Sequence, residues 1–139
     1  MKVEFYCLGN NQTGYGHLYR CLTIASYLRK KKWKVNFNIL GNLKSKQTII
    51  KYKFKGDTYL SFVSLLKKKP KISDNKSSYI AIVDITHDYV LTNEAQLLKF
   101  IKFLDKNYSK IVIIDSFGNQ SLSKIYKHYR LSFNLLIIP

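Results

Sequence analysis

Val3-Glu4-Phe5-Tyr6-Cys7-Leu8 runs directly into Gly9-Asn10-Asn11-Gln12-Thr13-Gly14-Tyr15-Gly16-His17. Leu18, Cys21, Leu22, Ala25 and Leu28 then recur at helical spacing. A β-prone run, a loop of turn formers and a 3.6-residue apolar period read as strand, loop and helix. Lysines close the helix, and Lys34 to Leu40 begins again as a strand. In that strand Val35, Phe37 and Ile39 alternate with Asn36 and Asn38, and Gly41-Asn42 ends it.

The same alternation continues outward. Over residues 43–69, Ile49, Ile50 and Phe54 predict one short helical piece. Tyr59, Phe62, Val63, Leu65 and Leu66 predict a second. Pro70 to Ser78 is a polar loop. Tyr79 to Val83 is continuously apolar, as in a strand covered on both faces, and stops at Asp84. Thr92 to Lys106 predicts an amphipathic helix with Leu97, Leu98, Ile101 and Leu104 on one side. Thr92 is its candidate N-cap, and Glu94 falls in its first turn. Ile111 to Ile114 is another buried strand and stops at Asp115. Ser121 to Tyr129 predicts a short helix, and Phe133 to Ile138 a last strand. Strands that alternate with helices and lack polar alternation imply a parallel sheet flanked by helices on both faces. The fold class is therefore α/β, Rossmann-like, with residues 1–139 as one domain.

Composition narrows the function classes. The chain of 139 residues is 46% hydrophobic, which is globular and not disordered. No apolar run reaches the roughly 18 residues of a membrane span. The start Met1-Lys2-Val3-Glu4-Phe5 has no long apolar region of a secretory signal, and a cytoplasmic location is expected. Cys7 and Cys21 have no metal-type spacing and read as two buried thiols. The net charge of +16 invites nucleic acid, acidic lipid or a phosphorylated ligand. Only Arg20, Arg29 and Arg130 among the 24 basic residues are arginine, and base readers favour the arginine fork. That argues against a nucleic-acid partner. The runs Lys30-Lys31-Lys32 and Lys67-Lys68-Lys69 fall where helices should end, where cations suit the helix dipole.

In a parallel α/β sheet, ligands bind outside the carboxyl ends of the strands. Three polar features map to that rim: the loop from Asn10 to His17, Asp84-Ile85-Thr86-His87-Asp88-Tyr89, and Asp115-Ser116-Phe117-Gly118. Glycines admit a tight backbone and the close approach of a ligand. The helix that follows offers free N–H groups and a positive dipole end. His17 stands at that end, where the dipole disfavours a further positive charge. A neutral imidazole there suits a general base acting on water or a hydroxyl. The plainer reading of the same residues is a turn followed by a helix-starting histidine. Asp84 and Asp115 either face the rim or cap their own turns. His87 and Asp88 are a possible oriented pair or ordinary loop residues, and His128 reads as structural. No metal-ligand spacing, phosphate-binding Walker loop or GxSxG elbow is present in the sequence.

The stretch Gln12-Thr13-Gly14-Tyr15-Gly16-His17-Leu18-Tyr19-Arg20-Cys21-Leu22-Thr23-Ile24-Ala25 resembles the GxGHxxRCLxLA signature of the UDP-sugar hydrolases of the pseudaminic acid pathway and the related spore-coat polysaccharide proteins. Ile80-Ala81-Ile82-Val83-Asp84 and Ile111-Val112-Ile113-Ile114-Asp115 look like that family's next strands. The resemblance implies the N-terminal Rossmann-like domain of a GT-B fold, akin to the lipid II-forming glycosyltransferase. It implies hydrolysis of a UDP-activated amino sugar without a cofactor, with His17 as the catalytic base. Gly14, Tyr15 and Gly16 would border the substrate. Arg20 would support the loop or bind an anionic oxygen, and Asp84 would hold a sugar hydroxyl or orient His17. The family's aspartate and serine after the first strand are replaced here by Leu8-Gly9-Asn10-Asn11. The nucleotide half of such a fold is a second domain, so the sequence reads as a fragment, a decayed frame or one subunit of a split enzyme with a partner chain. The acceptor half of a glycosyltransferase, and a basic module for nucleic acid or a membrane surface, are the alternatives.

Overall fold

The computed structural model describes residues 1–67, 78–85, 94–114 and 134–137. In chain order these form β1 (Lys2–Gly9), α1 (Gly16–Lys30), β2 (Lys34–Gly41), α2 (Leu43–Lys51), β3 (Lys55–Tyr59), α3 (Phe62–Lys67), β4 (Tyr79–Asp84), α4 (Glu94–Asn107), β5 (Lys110–Ile114) and β6 (Leu135–Ile137). All neighbouring strands pair in parallel, in the order β3-β2-β1-β4-β5-β6. This is a Rossmann-like sheet, and the strand order reverses between β1 and β4.

Strand period two divides the core into two layers. Val3, Phe5 and Cys7 of β1, Phe37 and Ile39 of β2, and Ile80 and Ile82 of β4 face the inner stripe of α1, which is Leu18, Cys21, Leu22 and Ala25. Tyr6, Leu8, Leu40, Tyr59, Ala81 and Val83 face Phe62 and Leu65 of α3 and Leu97, Phe100, Ile101 and Leu104 of α4. Both faces of the central strands are covered, so β4 is buried along its whole length.

The expected elements over 1–42 are present, as are those at 79–84, 94–107, 110–114 and 135–137. Residues 43–69 depart from expectation. The first helical piece spans Leu43–Lys51, but Tyr59 belongs to a strand, and the second helix starts only at Phe62. Lys55-Gly56-Asp57-Thr58-Tyr59 is poor in β-formers, and it pairs because β2 offers an open edge. Asn36 and Asn38 of β2 meet Glu4 of β1. Their amides donate to Glu4 Oε2 at 2.9 and 2.7 Å, and Asn38 is buried beneath the α3–α4 layer. Burial pushes the Glu4 carboxyl above its ordinary value, and the two amides partly counter that. Lys68 to Ser77, His87, Asp88, Thr92, the Asp115–Gly118 segment, the helix expected at Ser121–Tyr129 and His128 lie outside the described residues.

The carboxyl ends of β1 and β2 are fastened together. Gly9 and Gly41 are register partners, and Ser45 Oγ donates to the Gly9 carbonyl. Asn42 caps α2 by accepting from Ser45 N at 3.2 Å, while Asn42 N donates back to Ser45 Oγ. A Cβ on Gly41 would strike the Gly9 carbonyl and come within 2.7 Å of Ser45 Oγ. Gly41→Ala is therefore expected to cost about 1–3 kcal/mol, as other overpacked sites do. The check is a lower urea midpoint at unchanged slope.

Candidate active site

The rim at the β1–β4 crossover is built from two periodicities. In β4, residues 80, 82 and 84 share the α1 side, so Asp84 continues the row of Ile80 and Ile82. Its register partner on β1 is Cys7. In α1, His17, Arg20 and Cys21 lie three and four residues apart and so occupy one helix face. That face carries all three side chains to one fully buried carboxylate.

Asp84 is saturated there. His17 Nδ1 lies 2.7 Å from Oδ1. Arg20 grips both oxygens, Nη2 to Oδ1 and Nε to Oδ2, each at 2.8 Å. The Cys21 thiol donates to Oδ2 at 3.7 Å. Burial pushes the Asp84 carboxyl up, but the hydrogen bonds and charges of His17 and Arg20 outweigh it and hold it below its ordinary value of 3.8. Asp84's hydrogen bonds raise the Arg20 guanidinium in turn, against a smaller opposing effect of burial. Burial also raises the Cys21 thiol, which stays a protonated donor. An ionised carboxylate only accepts, so Nδ1 of His17 carries the proton. The 3.2 Å approach of Arg20 Nη2 to Nδ1 is then one of two donors sharing Oδ1. The imidazole is about one-sixth exposed and has Nε2 left for chemistry.

The glycine loop closes the other side. Asn10 Oδ1 accepts from Gln12 N at 2.9 Å, Thr13 N at 2.8 Å and Thr13 Oγ1 at 3.1 Å. This turn delivers Gly14 with a φ of 73°, a backbone that L side chains avoid. A Cβ on Gly14 or on Gly16 would meet nothing within 4 Å, so open space lies beside the loop. No side chain caps the start of α1, and its first turn holds no acidic residue. The helix N-terminus thus keeps donors for an anion.

Of the residues singled out in the sequence, His17, Arg20 and Asp84 converge, with Gly14 and Gly16 beside them. Tyr15 belongs to a different set. Its hydroxyl donates to Asn11 Oδ1 at 3.0 Å and meets the Asn42 amide, while Lys44 Nζ lies 4.9 Å from its ring centre. It braces the loop against α2. Sequence reading missed Cys21 as a donor to Asp84, and Asn42 with Ser45 as the brace. The signal for Cys21 was its position four residues after His17. Among the described residues no group of three or more His, Cys, Asp or Glu side chains is placed to hold a metal ion. No helix among them is long and apolar enough to cross a membrane.

Asp84→Asn should cost about 2–3 kcal/mol, less than a fully buried broken pair, because Arg20 is one-third exposed and can rehydrate. The depressed carboxyl stabilises the fold fully above its unfolded value, about pH 4, and loses that contribution as pH falls through its folded value. Urea unfolding across the acid range should therefore show a shallower loss of stability in Asp84→Asn than in the parent.

Comparison with family models, with curated proteins and with solved structures finds no match to this chain.

Proposed function

We propose that the chain forms the catalytic wall of a nucleotide-sugar hydrolase, with His17 as the base that activates water. The observation that carries this reading is the Asp84–His17 pair at the β1–β4 crossover, locked by the two-pronged grip of Arg20. A buried carboxylate on Nδ1 fixes one tautomer and aims Nε2 outward, the arrangement an imidazole base needs. Arg20 offsets the charge of Asp84, so the carboxylate orients the ring within a locally neutral pair.

In the reaction, the oxygen of water attacks the anomeric carbon as Nε2 takes its proton. The bond from that carbon to the diphosphate oxygen breaks. The nucleoside diphosphate leaves with the bonding electrons, and the free sugar is the product. Asp84 keeps its hydrogen bond to Nδ1 and so holds the ring in place as the imidazole becomes positive. The uncapped start of α1 and the open space beside Gly14 and Gly16 suit the departing diphosphate. The uridine belongs to a second domain in this reading, as the resemblance of Gly14-Tyr15-Gly16-His17 and Arg20 implies. The amino sugar as substrate rests on that resemblance alone.

The assay is release of UDP from UDP-amino sugars by the chain together with a candidate nucleotide-binding domain. His17→Ala should lower the rate by about 10²–10⁴, the usual contribution of a general base. An unchanged rate removes the assignment. Gly16→Ala separates site from scaffold. At the first position of α1 it should leave stability unchanged or raise it by up to about 1 kcal/mol, while the added methyl narrows the approach and lowers kcat/KM.

A further inference from the structure

A groove of about 550 Å³ runs between α3 and α4, on the opposite side of the sheet from His17. Its floor is apolar, with Val63 and Leu66 of α3 and the edge of Phe103 of α4. Its rim is basic. Lys67 closes α3, and Lys99, Lys102 and Lys106 recur along one flank of α4. Asp105 is on the same helix but does not line the groove. At the entrance to α3, Leu60 is 87% exposed and Val63 is 41% exposed. No ion pair among the described residues occupies these four lysines.

We propose that this face docks on a membrane surface rich in anionic phospholipid. The complementarity is twofold. Leu60, Val63 and Leu66 supply aliphatic area for the acyl boundary. The four lysines have long apolar stems along the groove and carry their charges to the level of the headgroup phosphates. Lysine is a compact point charge that needs no fixed acceptor geometry, which suits a fluid array of phosphates. The same features disfavour nucleic acid. Among the described residues that line the groove there is no arginine, and the one aromatic ring, Phe103, is buried and unable to stack on a base. Docking through this face leaves the α1 layer and His17 away from the lipid. The inference therefore does not depend on the hydrolase reading, and His17→Ala should leave membrane binding unchanged.

The test is co-sedimentation of the full chain with vesicles. One set holds equal parts phosphatidylglycerol and phosphatidylcholine, the other phosphatidylcholine alone. Binding is expected to the first set only, and to fall steeply with added salt. Each of Lys99→Gln, Lys102→Gln and Lys106→Gln should weaken it about fivefold. Leu60→Ser with Val63→Ser should weaken it further at constant charge. The three α4 lysine substitutions together should weaken it about a hundredfold, whereas the control triple Lys30→Gln, Lys31→Gln, Lys51→Gln removes the same charge at the C-terminal ends of α1 and α2 and should change binding little. An equal loss in that control would make the effect one of net charge and overturn the proposal. So would binding to phosphatidylcholine alone, or a single-stranded RNA that binds through the same three α4 lysines and displaces the vesicles. Circular dichroism of each surface variant confirms that the fold is retained.

Discussion

Desolvating one carboxylate at the end of β4 constrains everything around it. A buried anion without partners costs several kcal/mol, so the chain must bring donors to it. The donors come from a single helix face, and they reach Asp84 only if α1 packs with its first turn over the β1–β4 crossover. That packing depends on a short, tightly turned connection from β1. The Asn10-centred turn, the left-handed Gly14 and the brace of Tyr15 on Asn42 are what deliver it. Fold and candidate site are thus one construction. The interaction that positions His17 also anchors α1 to the sheet.

Much of this was legible in the sequence because the relevant signals are periodic. The spacing of Leu18, Cys21, Leu22 and Ala25 marks the inner stripe of α1, and the apolar run ending at Asp84 marks a strand buried on both faces. The same two periods place His17, Arg20 and Asp84 at one rim. What periodicity could not supply is pairing. Nothing local distinguishes an Asp84 that caps its own turn from one that accepts from α1, because the deciding contacts span more than sixty residues. β3 escaped for a related reason. Lys55, Gly56 and Asp57 have little strand preference of their own, and the open edge of β2 overrides that deficit. The alternation of Asn36 and Asn38 was legible, but their partner was not: Glu4, on the neighbouring strand, accepts from both amides.

The two polar clusters on opposite faces of the sheet solve the burial of a carboxylate differently. Glu4 is met by neutral amides, and burial prevails, so its carboxyl rises. Asp84 is met by a guanidinium and an imidazole, and its carboxyl falls. The first arrangement ties β1 to β2 through two amide donors on one carboxyl oxygen. The second sets an Arg20-paired carboxylate under a histidine at the carboxyl-end rim of the sheet.

Charge on the scale of the whole chain bears on both surfaces. A net +16 repels itself and disfavours the compact state. Each buried carboxylate held in its ionised form relieves some of that repulsion from within, and Asp84 does so beside α1. The lysines of α3 and α4 have no such internal relief among the described residues. They crowd on one flank around an apolar floor, so the repulsion there is highest where the surface is also least polar. The two sides of the sheet differ accordingly: on one, the charges of Asp84 and Arg20 meet inward, and on the other, Lys67, Lys99, Lys102 and Lys106 line a groove with an apolar floor.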